Sequence, residues 1–222
     1  MAVPLFAFAG VGLERGGTRV LDDVTLDLPD GGVTVLVGAS GAGKSTLLRC
    51  CNRLEVPTSG TLRFRGDDLA DLDPLAHRRR VAMVFQAPAT FPGTVAANLR
   101  AVADLTGAEA GALLDRVGLD RSLLDRQADA LSGGEAQRMV VARALTTGPE
   151  VLLADEPTSA LDAAATHRLE DLARGLADDG LPVVWVTHDL DQVHRLADHL
   201  VVVRSGRATW AGPAADWDGD VA

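Results

Sequence analysis

The sequence predicts an α/β fold: a mostly parallel sheet, an antiparallel β-lobe at the N-terminal end and an inserted α-helical lobe. Three observations carry this. Five short runs, Val33–Val37, Val81–Phe85, Val151–Ala154, Val183–Thr187 and Leu200–Val203, are apolar on both faces and separated by helical stretches. That is the pattern of a parallel sheet covered on both sides. Residues up to about 30, and those around Gly60–Gly66, instead alternate apolar and polar positions between turn signals such as Glu14-Arg15-Gly16-Gly17, as a small antiparallel sheet does. Between Phe85 and Glu150 there is no strong strand; Val95–Thr106, Ala108–Val117 and Gly133–Leu145 read as helices, with Gly107 and Gly118 as punctuation. One domain is expected over 1–222, with 1–86 and 146–222 forming core and β-lobe and about 87–145 the inserted lobe.

Composition narrows the function. At 222 residues and 47% hydrophobic content the chain can bury a sizeable core. The longest apolar runs have strand length, far short of the roughly 18–20 residues of a membrane span. Met1–Phe6 lacks the basic region that opens a signal peptide. The expected location is cytoplasmic, peripheral to a membrane only through a partner. A net charge of −10 disfavours a nucleic-acid groove, and the one basic cluster, Arg78-Arg79-Arg80, reads as a solvated helix end. Cys50 and Cys51 are too few for a disulfide framework or a zinc site; they read as small buried helix residues. Among 21 basic residues there is a single lysine, Lys44. In so arginine-rich a background, a lysine marks a place for a compact ammonium rather than a planar fork.

Lys44 lies in Gly38-Ala39-Ser40-Gly41-Ala42-Gly43-Lys44-Ser45, a match to G-x-x-x-x-G-K-[ST] that follows a predicted strand and opens a predicted helix. That context gives the motif its mechanism. The glycines let successive N–H groups turn inward onto phosphate oxygens, and the helix adds the positive end of its dipole. Lys44 can reach the β- and γ-phosphates and the Ser45 hydroxyl can bind Mg²⁺. A second strand, Val151–Ala154, runs into Asp155-Glu156. Asp155 is placed to hold Mg²⁺ and Glu156 to polarise an attacking water.

Leu131-Ser132-Gly133-Gly134-Glu135, followed by Gln137-Arg138, is a capping box at a helix start, and it also resembles the signature sequence of the ABC ATPase family. The remaining motifs of that family are similar and in order: Gln86 after a buried strand resembles the Q-loop glutamine, Ser159-Ala160-Leu161-Asp162 the D-loop, and Thr187-His188-Asp189 the switch histidine. His77, His167, His194 and His199 read as surface or helix residues. The resemblance spans essentially the whole chain and implies a P-loop ATPase that uses ATP and Mg²⁺. It implies a homodimer, or pairing with a similar subunit, beneath transmembrane permease subunits. In that scheme Gly38–Thr46 hold the nucleotide, and Ser132, Gly133 and Gly134 cover the γ-phosphate of the other protomer. Ser45, Gln86 and Asp155 serve the metal, and Glu156, His188, Lys44 and Gln86 serve hydrolysis. One position departs from the family: Arg15 stands where an aromatic residue usually stacks on adenine, with Val20 packing beside it. A guanidinium plane can stack on a base.

The segment Ala87–Gly93 is a candidate docking surface for the membrane partner or a rigid connector. ATPases of DNA repair or chromosome structure, the leading alternative class, carry long coiled-coil insertions. Here Lys44 and Asp155 are 111 residues apart with no heptad run between them. Import of a small polar solute or anion, such as phosphate or an amino acid, is the expected work, with export as the alternative.

Overall fold

The computed structural model describes residues 3–219. Two sheets form the frame. The first is antiparallel, in the order β2-β1-β4-β5, and comprises β1 (Phe6–Arg15), β2 (Thr18–Leu28), β4 (Ser59–Phe64) and β5 (Asp67–Asp68). The second runs β10-β9-β3-β8-β7-β6. Its parallel strands are β3 (Val33–Val37), β6 (Val81–Val84), β7 (Val151–Asp155), β8 (Val183–Thr187) and β9 (His199–Arg204). β10 (Arg207–Pro213) closes one edge antiparallel to β9. This sixth strand lies half in solvent and lacks the doubly apolar pattern that marks the other five.

The central strands show why their sequences are largely apolar on both faces. In β3, Val33, Val35 and Val37 face one core while Leu36 faces the other; in β8, Val183 and Trp185 oppose Val184 and Val186. Each face is buried, so apolar side chains dominate, and the polar exceptions Thr34 and Thr187 are themselves buried. A buried Val or Leu contributes about 1.5–3 kcal/mol. The first core continues into the segment between β6 and β7 through Val95, Leu99, Leu114 and Met139. The second takes in α1 (Lys44–Cys51) and the antiparallel sheet.

Between β6 and β7 the described residues form α3 (Val95–Arg100), α4 (Gly107–Arg116) and α5 (Gly133–Leu145), with two short 3-10 turns. The helix expected over Val95–Thr106 ends six residues early. Thr106 is the N-cap of α4, sharing a reciprocal capping box with Glu109, and a residue committed to an N-cap cannot continue a preceding helix. α1 ends at Cys51, and the left-handed Arg53 (φ 57) then turns the chain away. α2 (Pro74–Arg80) precedes β6, and α6 (Ala163–Asp178) and α7 (Leu190–Leu196) flank β8.

The Arg78–Arg80 cluster is not simply solvated. Arg78 donates to the Arg53 carbonyl at 2.6 Å, and Arg80 pairs with Glu150 at 2.5 Å while lying 4.9 Å from the Phe64 ring. His77 is on a helix but fully buried, with Nε2 2.7 Å from the Cys51 carbonyl. His199 sits in strand β9 instead of on a surface or helix. Cys50 and Cys51 are buried thiols on α1, and burial pushes Cys50 up to about 12.

Candidate nucleotide site at the carboxyl edge of the sheet

Parallel pairing brings the candidate residues to one edge. Val37 pairs with Thr187, Asp155 with Val186, and Val84 with Ala154. Gly38, Glu156, His188 and Gln86 therefore leave the sheet at the same end, the end where open α/β sheets bind ligands.

The glycine loop is forced by close packing. A side chain on Gly38 would stand 2.1 Å from the Val203 carbonyl oxygen. Gly43 (φ 104) would meet the Val20 carbonyl and the Leu21 side chain at 3.1 Å. Gly43 is the N-cap of α1 and supplies no side-chain cap, and the first turn holds no acidic residue. The N–H groups there remain available to an anion. Lys44 is 3% exposed, and its ammonium donates to the carbonyls of Gly38 (2.8 Å) and Ala39 (2.9 Å). Burial lowers its pKa, opposed by the charges of Glu156, 3.8 Å away, and Asp155. Ser40 and Gly41 are exposed, Ala42 and Thr46 buried.

Ser45 Oγ donates to Asp155 Oδ1 at 2.5 Å. A hydroxyl and a carboxylate side by side are hard oxygen donors, suited to Mg²⁺ completed by phosphate and water. Among the described residues no cluster of three or more His, Cys, Asp or Glu forms a protein-only metal cage. Glu156 holds a positive φ of 44, and its carboxylate lies between Lys44 and His188, whose Nδ1 is 3.2 Å from Oε2. Lys44, Ser45, Asp155, Glu156 and His188 are thus one constellation.

Other expected residues stand apart from it. Gln86 is exposed two residues beyond β6, and no hydrogen bond among the described residues joins it to Ser45 or Asp155. Ser132, Gly133 and Gly134 open α5, and no hydrogen bond among the described residues joins them to the glycine loop. A side chain on Gly134 would meet Ala165 at 2.8 Å, and one on Gly133 would lie 3.6 Å from Leu161. The β1–β2 hairpin carrying Arg15 flanks the cradle through Val20, whose carbonyl faces Gly43. Arg15 is exposed and ion-paired with Glu55. Phe91 is half-exposed in a tied-down loop. Its N–H and carbonyl both bond the buried Asn98 side chain, and the Arg143 guanidinium lies 4.4 Å from its ring.

Two further residues reach the constellation. Arg49 lies 3.2 Å from Asp155. Its signal was its place one turn after Ser45 on the same face of α1. Gln192, buried on α7, bonds both Thr158 and Thr187. It has no sequence signal, since its partners meet only in the folded chain.

A phosphate loop, a strand-end acid beside its serine, and a glutamate between lysine and histidine define a P-loop nucleoside triphosphatase. The chain belongs to the ABC transporter family, whose model matches residues 21–159. It is similar to the rice protein STAR1, 43% identical over 209 residues covering 91% of this chain and 60% of that protein. It is also similar to the phosphate import ATP-binding protein PstB 3 of Natronomonas pharaonis, 40% identical over 87% of this chain and 76% of that one. The dimeric post-hydrolysis structure of the ATP-binding cassette MJ0796, bound to ADP and Pi, superposes with a TM-score of 0.82 at 26% identity, covering 96% of this chain and all of that one. The chain spans less than two thirds of STAR1. No helix among the described residues is long and apolar enough to cross a membrane.

Proposed function

We propose that the chain is the ATP-hydrolysing subunit of an ABC importer, working as a dimer beneath permease subunits on the inner face of the cell membrane. The observation that carries this is the Glu156 carboxylate held between Lys44 and His188, beside the Ser45–Asp155 pair. The amides of Gly38–Ser45 and the Lys44 ammonium bind the phosphates. Thr46 follows on the first turn of α1, and Arg15 with Val20 flanks the base. Ser45 and Asp155, with Gln86 from its exposed position after β6, would hold Mg²⁺, which would neutralise charge on the phosphates. Glu156 accepts a proton from the attacking water and orients it. His188 keeps that carboxylate in place, and Lys44 stabilises charge on the γ-phosphoryl group.

Ser132 and Gly133 are exposed and Gly134 is half-buried at the start of α5, which suits contact with a second protomer's nucleotide. The dimeric state of the MJ0796 structure supports that arrangement. Residues 87–145 act as the lobe that passes closure to the permease. The half-exposed Phe91, with its backbone fixed by Asn98 and the Arg143 guanidinium over its ring, offers a rigid docking point. The PstB 3 relative supports import of a small polar anion such as phosphate. The test is ATP turnover and size-exclusion behaviour of the chain and of Glu156→Gln in Mg·ATP. The expected result is that the variant loses at least about a hundredfold in turnover and accumulates as dimer. Retained turnover in the variant overturns the assignment of Glu156.

A further inference from the structure

One buried side chain joins the two loops that carry Glu156 and His188. Gln192 is 3% exposed. Its Oε1 accepts from Thr187 Oγ1 at 2.7 Å and from Trp185 Nε1 at 3.4 Å, and its Nε2 donates to Thr158 Oγ1 at 2.8 Å. Thr187 ends β8, one residue before His188. Thr158 lies two residues after Glu156, in the turn leading to Ser159–Asp162. Both threonines are wired into their own loops. Thr187 Oγ1 accepts the Asp189 N–H at 3.0 Å, and the Thr158 carbonyl accepts the Leu161 N–H at 3.0 Å.

The catalytic pair needs such a brace. Glu156 keeps a positive φ of 44, which a non-glycine residue holds only when its surroundings impose it. Its side-chain bond to His188 spans the two loops at 3.2 Å, and His188 is mostly exposed. A cavity of about 220 Å³ lies over the pair, lined by Thr158, Thr187 and Gln192 as well as by Glu156 and His188. The Glu156 N–H donates to the Val186 carbonyl at 3.2 Å where the two loops leave the sheet, and further out Gln192 joins the loops from beneath.

We propose that Gln192 is a positioning residue for ATP hydrolysis. Its amide locks Thr158 and Thr187 into one buried unit, setting Glu156 against His188 and tying both to the Ser159–Asp162 segment. This rests on reading Glu156 and His188 as the hydrolytic pair. An amide suits the place because it donates on one side and accepts on the other. A buried network satisfied at every member fixes one geometry rather than several. Gln192 forms no bond to Gly38–Thr46, so its loss is a loss of rate and not of nucleotide binding.

The experiment compares the full chain with Gln192→Leu, Thr158→Val, the double variant, Gln192→Glu and Glu156→Gln. It measures kcat, KM for Mg·ATP, the pH profile of kcat and thermal melting. Gln192→Leu and Thr158→Val should each lower kcat roughly tenfold to a hundredfold, the scale of a small misplacement. KM should stay within about twofold, since the interaction is used only to reach the transition state. The double variant should be no slower than the worse single one. Gln192→Glu, which can accept from both threonines, should recover most of the rate with an altered pH profile. Unchanged kcat in both folded single variants overturns the proposal, as does a KM that rises in step with any fall in kcat, or additive losses. If Gln192→Leu shows no melting transition, Thr158→Val, which removes one hydroxyl at nearly constant volume, decides alone. Full turnover by Glu156→Gln removes the catalytic reading and this proposal with it. An inactive Glu156→Gln beside normal Gln192→Leu and Thr158→Val rejects Gln192 only.

Discussion

Helices α1 and α5 both begin on glycine-containing turns, and they treat their unpaired N–H groups in opposite ways. α5 caps itself: Ser132 Oγ accepts the Glu135 N–H, and the Glu135 carboxylate accepts the Ser132 N–H at 2.8 Å. Its N-terminal end therefore already carries a negative charge against the helix dipole. α1 has Gly43 at its cap, no side-chain acceptor, no acid in the first turn, and Lys44 as its first residue. Its positive end is left for an external anion. Two glycine-rich turns that look alike in sequence are thus a finished helix start and an unfinished one. On the proposed reading, the unfinished one is the primary phosphate site, and α5 would meet a ligand presented by a second protomer.

The largest effect should come from breaking the unfinished end. Lys44→Ala removes the one ammonium from the cradle and should lower turnover by roughly a hundredfold to a thousandfold or more. It should also abolish the rise in melting temperature that Mg·ATP gives the parent, because binding to the folded state alone is what raises it. A Lys44→Ala protein that melts higher with ATP, as the parent does, would show that the cradle does not need its lysine.

Ser132→Ala probes the finished end and should behave differently. Losing the cap costs about 1 kcal/mol, or roughly 2–4 °C in a chain of this size. The ATP-induced rise in melting temperature should survive, because the first turn of α1 is untouched. Turnover should fall only where protomers pair. Equal loss of the ATP-induced rise in both variants would erase the distinction between the two helix starts.

The contrast between these ends also marks what the sequence could reveal. The glycine loop was legible because its function lies in the backbone: Gly38 and Gly43 sit where a side chain would strike Val203 or Val20, and only glycine allows that course. The five doubly apolar strands were legible because both of their faces are buried. β10 was not, since its half-exposed edge gives no comparable pattern. α3 read too long because the periodicity ran through Thr106, whose capping of α4 outweighs it. Gln192 between Thr158 and Thr187 makes contacts across 34 and 5 residues that pair type and spacing do not encode. Gln86 matched by order along the chain, yet its side chain stands clear of the Ser45–Asp155 pair.

The smallest expected effect separates the two ends by pH. The Glu135 carboxyl is held below its usual 4.5 first by the Ser132 backbone N–H and then by the Ser132 hydroxyl. A carboxyl depressed on folding adds stability that is complete above its unfolded value and lost as pH falls through its folded one. The α5 cap should therefore weaken in acid below about pH 4.5, as should the matching Thr106–Glu109 cap of α4. The α1 start has no carboxyl in its cap or first turn to titrate there, and burial lowers its Lys44 from the usual 10.5. Glu135→Gln should melt lower than the parent near neutrality, where the charge on the dipole is lost, and should lose less on acidification. Melting curves of the two proteins taken between about pH 6 and 3 should therefore converge. Curves that stay parallel would mean that the charge on Glu135 does not contribute to holding the start of α5, and that its hydrogen-bonding shape suffices.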